Sequence, residues 1–161
     1  MREILAATYT EHRQGLFSLA LSVTGDRQLA EDAVQSAFEK LIRLSASPNG
    51  NPVAYVFSAV HNAAHDCVHR NGSPRQSLFV DCVDCEAVTP EASAEADERL
   101  AAVQAAVMNL EDEEREVVIL KAFSGLTYDC IGLVLQVPAK TSVTRYRRAL
   151  LKLEEKLRGQ I

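Results

Sequence analysis

Apolar residues recur at helical spacing along most of this 161-residue chain, and this periodicity restricts its fold more than any other feature. Between residues 30 and 44 the apolar positions are three and four apart, which places them on one face of a helix. They are Ala30, Ala33, Val34, Ala37, Phe38, Leu41 and Leu44. No stretch alternates between apolar and polar residues as a half-buried strand would. The sequence therefore predicts an all-α protein.

Turn-forming residues divide the helical pattern into two parts. The third helix ends at Asn71-Gly72, and residues 72–93 contain two prolines and no sustained period, which is typical of a flexible linker. We therefore predict two small helical domains, at residues 1–71 and 94–161, joined by a flexible linker at 72–93. Three residues are placed to cap helices, namely Asp26, Asn51 and Thr127.

Residues 127–157 have the pattern of a helix-turn-helix. A short apolar helix follows Thr127, Gln136-Val137-Pro138 forms a turn, and a longer helix begins near Lys140. On a helical wheel of about 100° per residue, the longer helix has an apolar arc made of Val143, Tyr146, Ala149, Leu150, Leu153 and Leu157. Its other arc holds Lys140, Thr141, Thr144, Arg145, Arg148 and Lys152, with Arg147 at the edge. Arg and Lys on such a face can bind bases and phosphates in a major groove.

The net charge of −5 argues against nucleic-acid binding by the protein as a whole. Basic residues are nevertheless concentrated in this helix, because residues 137–158 contain seven basic and two acidic side chains. A local patch decides whether a phosphate backbone can be bound. A solvated surface face is the alternative for a basic amphipathic helix alone. The short helix and the turn in front of it favour DNA binding.

Four motifs resemble those of one protein family. Residues 29–38 (LAEDAVQSAF) resemble the AEDxxQxxF signature of bacterial sigma factors of the extracytoplasmic-function (ECF) group, and residues 52–70 resemble the helix that follows it. Residues 110–117 are similar to the start of the C-terminal domain in that group. Residues 125–149 are similar to its helix-turn-helix. The four matches occur in the family's order and together cover most of the chain.

The resemblance implies a transcription initiation factor with no enzymatic activity. Its N-terminal domain, region two, would bind core RNA polymerase through Asp32, Gln35, Ser36, Phe38 and Glu39. The same domain would open the minus-ten promoter element, using His61, Asn62, Asp66 and Arg70. Its C-terminal domain, region four, would read the minus-thirty-five element with Lys140, Thr141, Thr144, Arg145, Arg147, Arg148 and Lys152. Family position places Thr144, Arg147 and Arg148 near base edges, and Lys140, Arg145 and Lys152 on the DNA backbone.

Each of these surfaces has a plainer interpretation. The polar stripe at residues 32–39 could be a solvated helix face, which is the commoner outcome. Tyr55 and Phe57, beside the minus-ten residues, could stack on extruded bases or could be core residues. The turn also departs from the family pattern, because Gln136 and Lys140 stand where glycine is common.

Two other functions stay open at this point. A helix-turn-helix regulator that never engages polymerase would share the DNA-binding motif, but the AEDxxQxxF stripe argues against it. A sigma-like decoy that sequesters an anti-sigma factor would share the whole pattern. Val143 and His61 replace residues that are usually basic in the family, which keeps the decoy open. The basic face with Arg145 and Arg148 argues against it.

The cysteines do not indicate a metal centre or a disulfide framework. Cys82 and Cys85 form a single CxxC, which could be half of a zinc site or a redox pair together with the upstream residues His65, Cys67 and His69. A second CxxC at diagnostic spacing is missing. We interpret them as reduced thiols. Cys67 and Cys130 lie among apolar residues and are expected to be buried.

We therefore predict no cofactor. No apolar run reaches the roughly 18 residues of a membrane span, so membrane insertion is not expected. The predicted protein is cytoplasmic. The partners that the resemblance implies are core RNA polymerase, promoter DNA and an anti-sigma factor.

Overall fold

The computed structural model describes residues 2–44, 50–71 and 93–159. Within these ranges the chain forms seven α-helices and one π-helical turn, and no strand, which confirms the all-α prediction. The elements are α1 (Arg2–Thr24), α2 (Arg27–Leu44), α3 (Pro52–Asn71), α4 (Ser93–Met108), α5 (Asp112–Val118), the π turn (Ile119–Phe123), α6 (Tyr128–Leu135) and α7 (Ala139–Arg158). The linker predicted at 72–93, which includes Cys82 and Cys85, lies outside the described residues apart from Ser93.

Helices α1, α2 and α3 pack against one another and form the N-terminal lobe. Both predicted caps are present. Asp26 Oδ1 accepts a hydrogen bond from the Leu29 amide at 2.9 Å, and Asn51 Oδ1 accepts one from the Val53 amide at 3.0 Å. These bonds satisfy amide groups that a helix start leaves without a partner in the helix. The centre of the lobe is apolar, and its largest fully buried side chains include Leu16, Leu19 and Phe57.

The C-terminal lobe consists of α4 to α7, with α4, α5 and α6 all packed on α7. Thr127 caps α6 as predicted, because its Oγ1 accepts a hydrogen bond from the Cys130 amide at 3.2 Å. Gln136 ends α6 in the left-handed conformation, with φ of 58°. Glycine adopts this conformation without steric cost. The local geometry therefore explains why the family often has glycine in this turn.

The turn between α6 and α7 lies unusually close to α6. A Cβ atom at Gly132 would lie 2.7 Å from the carbonyl oxygen of Val137, closer than such atoms can approach. The turn can therefore fold back on α6 only because residue 132 has no side chain. Both helices of the predicted helix-turn-helix are present, and the second is the longer one.

The buried face of α7 is narrower than the apolar arc predicted for this helix. Ala149 and Leu153 are buried, but Leu150 is 44% exposed, so its assignment to the buried face is wrong. The buried strip is centred on Ser142, whose exposure is 0%. At 100° per residue Leu150 lies about 80° around the helix from Ser142. It therefore falls at the edge of the strip that the neighbouring helices cover.

The two lobes contact each other directly. Helix α3 packs against α6, and α1 packs against α5 and the π turn. A Cβ atom at Gly15 of α1 would lie 2.5 Å from the Ser124 Oγ atom, so this close approach of the lobes requires glycine. Among the described helices, none is long and apolar enough to cross a membrane.

Candidate functional site

The polar residues predicted to bind core RNA polymerase lie together on the exposed face of α2. They are Asp32, Gln35, Ser36 and Glu39. Gln35 donates a hydrogen bond to Glu39, with 3.2 Å between Nε2 and Oε1. Ala33 and Ala37, on the opposite face, are buried and fix α2 to its lobe. The four side chains therefore form one exposed polar surface, which we call the α2 stripe.

Phe38 lies between this stripe and the interior of the lobe. Its ring is half-buried and contacts Tyr9 of α1 edge to face, with 5.3 Å between ring centroids. A groove between α1 and α2 opens here, and Gln35 and Glu39 of the stripe also line it. Its apolar lining includes Tyr9, Phe17, Val34, Phe38 and Ile42. Sequence reasoning missed Tyr9, because the two aromatic residues lie on different helices.

Three of the four predicted minus-ten residues lie in one row on α3. Asn62, Asp66 and Arg70 are four residues apart and all exposed. This spacing places them on one helix face. Phe57 is fully buried and is therefore a core residue, not a stacking surface for bases. Tyr55 is half-buried.

His61, the fourth predicted minus-ten residue, belongs to a cluster between the two lobes. Its Nε2 atom lies 3.2 Å from Glu116 Oε2, and His65 Nε2 lies 3.1 Å from Glu116 Oε1. The two imidazole Nε2 atoms are 3.1 Å apart. We call His61, His65 and Glu116 the His–Glu cluster. It joins α3 of the N-terminal lobe to α5 of the C-terminal lobe.

The cluster changes the acid–base properties of its members. Burial raises the pKa of Glu116, but the hydrogen bonds and charge interactions with His61 and His65 together outweigh burial and lower the pKa to about 2. The hydrogen bond with Glu116 raises the pKa of His65 above its ordinary value of 6.5. Sequence reasoning did not connect Glu116 with the histidines, because 51 residues separate it from His65.

The residues predicted to contact minus-thirty-five DNA divide into two groups on α7. Lys140, Thr144, Arg147 and Arg148 are exposed, and we call them the outer face of α7. Arg145 and Lys152 pair with acidic residues of α5, and Lys152 stays exposed while it does so. Arg145 lies 3.5 Å from Glu113, and Lys152 Nζ lies 2.9 Å from Glu114 Oε2. Thr141 is half-buried in the first turn of the helix.

Two family models match the two lobes of the chain. Residues 8–73 match the family described as Sigma-70 region 2, and residues 100–153 match the family described as Sigma-70, region 4. The chain is 30% identical over 152 residues to an ECF RNA polymerase sigma factor, SigE of Mycolicibacterium smegmatis. The chain belongs to the ECF group of the sigma-70 family. The match with SigE covers 91% of this sigma factor and 59% of the relative.

A second relative and a solved structure are similar along nearly the whole chain. The RNA polymerase sigma-H factor of Pseudomonas aeruginosa is 27% identical over 160 residues, which are 91% of this sigma factor and 82% of the relative. The structure of the sigma factor RpoE in complex with the anti-sigma factor NepR, from Bartonella quintana, has a TM-score of 0.68 and 24% identity. That likeness covers 98% of this chain and 95% of the other, and it shows a common fold.

Members of this family bind RNA polymerase and direct it to promoters. This sigma factor is therefore a transcription initiation factor rather than an enzyme. The family assignment decides against a DNA-binding regulator that never engages polymerase.

Proposed function

We propose that this sigma factor reads the minus-thirty-five promoter element with the outer face of α7. The observation that carries the proposal is the separation of basic residues on that helix. Arg145 and Lys152 engage the acidic residues of α5, while Lys140, Arg147 and Arg148 face solvent. The outer face therefore presents positive charge to a phosphate backbone even though the protein as a whole is acidic.

Arg147 and Arg148 are the residues that we assign to base edges. A guanidinium group can bond bidentately to guanine and so distinguishes one base from another. Lys140 stands at the start of the helix and suits a phosphate contact, which adds affinity without sequence information. Arg145 and Lys152 then act mainly as residues that fix α7 on α5, and we assign them only a minor share of DNA binding.

We assign core RNA polymerase to the α2 stripe and the adjoining groove. The stripe offers exposed carboxylates and amides, and the groove offers aromatic and aliphatic side chains beside them. A basic surface with an apolar anchor fits this combination, because interfaces combine buried apolar anchors with a polar rim. The structure leaves this side of α2 uncovered by the other described helices.

Minus-ten DNA is assigned to the exposed row of Asn62, Asp66 and Arg70 on α3. His61 can join this row only when it leaves Glu116, because its side chain is mostly buried against the C-terminal lobe. We therefore propose that the packed arrangement of the lobes is a closed form, and that promoter binding separates them. The similar RpoE structure contains an anti-sigma factor. By analogy, we propose that an anti-sigma factor binds this protein in the cytoplasm and stabilises a form that does not bind promoters.

Run-off transcription tests the proposal. Purified core polymerase is combined with the full chain on templates from the upstream regions of the source organism, with matched templates whose minus-thirty-five or minus-ten element is scrambled. We expect discrete transcripts that require both the protein and the intact elements. Core polymerase that gives the same transcripts without the protein, or a protein indifferent to scrambling of both elements, would contradict the proposal.

A further inference from the structure

The His–Glu cluster brings three potential metal ligands to one point between the lobes. The Nε2 atoms of the two histidines are 3.1 Å apart, and each lies 3.1 to 3.2 Å from a different carboxylate oxygen of Glu116. We propose that the cluster binds a divalent transition-metal ion, with Zn²⁺ as the best fit, and that this ion links the two lobes.

The hydrogen-bonding capacity of the cluster supports the proposal. Both imidazole Nε2 atoms lie within hydrogen-bond distance of Glu116, so both must carry a proton to donate to it. The two N–H groups then face each other at 3.1 Å with no acceptor for that contact. If either nitrogen is deprotonated, its lone pair faces the carboxylate instead. A cation between the three side chains accepts a lone pair from each of them and removes the conflict between the two N–H groups.

The spacing of the ligand atoms fits zinc. Zinc lies about 2.0–2.1 Å from imidazole nitrogen and carboxylate oxygen, so neighbouring ligands in a tetrahedral site are about 3.3 Å apart. The observed distances differ from this value by only a few tenths of an ångström. His61 and His65 are four residues apart on α3, the spacing at which two histidines of one helix bind the same zinc ion. Two histidines and one glutamate also form a known zinc ligand set.

The site is accessible to solvent at His65. The side chains of His61 and Glu116 are 15% and 12% exposed, whereas that of His65 is 51% exposed. A cleft lined by His65, Glu116, Asn109 and Ser22 leads from the cluster to solvent. It gives a path for the ion and room for water as a fourth ligand. The linker cysteines that sequence analysis considered for zinc are not required.

A metal ion at this point would hold the lobes together. It would also keep His61 away from DNA. The effect on DNA binding rests on the proposed closed form, whereas binding of the ion does not. Metal binding can be measured without polymerase or promoter, so it is tested independently of the proposed function.

Isothermal titration of the full chain, freed of metal with a chelator, tests the site with Zn²⁺. We expect one ion per chain. Glu116→Gln and His65→Gln should each weaken binding by more than the roughly 10–100-fold that loss of a supporting, non-ligating residue causes. His69→Gln is the matched control, because His69 is an exposed histidine one turn further along α3. A Cys82→Ser, Cys85→Ser double variant controls for the linker thiols. In both controls the dissociation constant for Zn²⁺ should stay within twofold of the parent value.

Co²⁺ provides a spectroscopic second measurement on the same variants. We expect visible absorption bands of a four-coordinate ion without the near-ultraviolet thiolate band, and we expect them to disappear in His61→Gln and Glu116→Gln. Circular dichroism of each metal-free variant establishes that its helices are intact. The proposal is overturned if the parent chain binds no Zn²⁺, if the Glu116 and His65 variants bind as tightly as the parent, or if only the cysteine double variant loses the ion.

Discussion

Lys152 on α7 donates a hydrogen bond to Glu114 on α5, with 2.9 Å between Nζ and Oε2. Glu114 is buried, with 6% of its surface exposed, so Lys152 neutralises a carboxylate that water barely reaches. The hydrogen bond raises the pKa of Lys152. A basic residue in the DNA-binding helix therefore has a structural partner, and this changes what its substitution should do.

Lys140→Ala and Lys152→Ala should have different effects on DNA binding. Removing a lysine that contacts a phosphate reduces the slope of log affinity against log salt by about one. We expect this reduction for Lys140, and a smaller one for Lys152, because Glu114 already neutralises its charge. Lys152→Ala should instead lower the Tm, since it leaves the Glu114 carboxylate without its cation. Salt titrations of promoter binding and thermal unfolding measure the two effects. Equal slopes for both variants would show that the ion pair does not restrain Lys152.

Phe38→Ala should destabilise the protein less than Phe57→Ala. Phe57 is fully buried, and removing such a ring costs about 3–5 kcal/mol. Phe38 is half-buried against Tyr9, so we expect roughly half that loss in the free energy of unfolding. Urea denaturation followed by circular dichroism gives both values. A loss for Phe38 that equals the loss for Phe57 would mean that the groove beside α2 is closed in solution.

Asp32→Ala combined with Gln35→Ala should weaken binding to core polymerase and leave the helix content unchanged. Both side chains are exposed on α2, so their loss should leave the packing of the lobe intact. It removes only polar groups that we propose to contact core polymerase. Competition with a labelled parent chain for core polymerase measures the effect. The control is Asp97→Ala combined with Glu98→Ala, which removes two exposed acidic residues of α4. If the α2 variant competes as well as this control, the stripe is only a solvated helix face.

Cys67 and Cys130 should resist alkylation in the folded protein. Both are buried, and burial raises the pKa of the Cys130 thiol, which lowers the fraction of reactive thiolate at neutral pH. Iodoacetamide labelling followed by peptide mass spectrometry should modify Cys130 only after denaturant is added. Rapid modification of Cys130 in native protein would show that α6 leaves the lobe frequently.

Local features of this fold were predictable, and contacts between distant elements were not. Asp26 and Thr127 cap their helices as expected, because a cap depends on a few neighbouring residues. The exposure of Leu150 depends on which neighbouring helices cover α7, and helical periodicity does not contain that information. The same limit applies to the candidate site. The basic residues of α7 are evident from the sequence, but the acidic partners on α5 that engage Arg145 and Lys152 become visible only in three dimensions.

Promoter selectivity of Arg148→Ala is the most direct test of the claim that the outer face of α7 reads DNA sequence. Binding is measured by footprinting on a matched and a scrambled minus-thirty-five element at fixed salt. A bidentate contact to guanine contributes about 1–3 kcal/mol of discrimination, so we expect the variant to lose roughly 5- to 150-fold in preference for the matched element. Lys156→Ala, an exposed basic residue of the same helix outside this face, should keep the preference of the parent. Equal losses on both elements for Arg148→Ala would contradict the account, because they would mean that this residue contacts phosphates only.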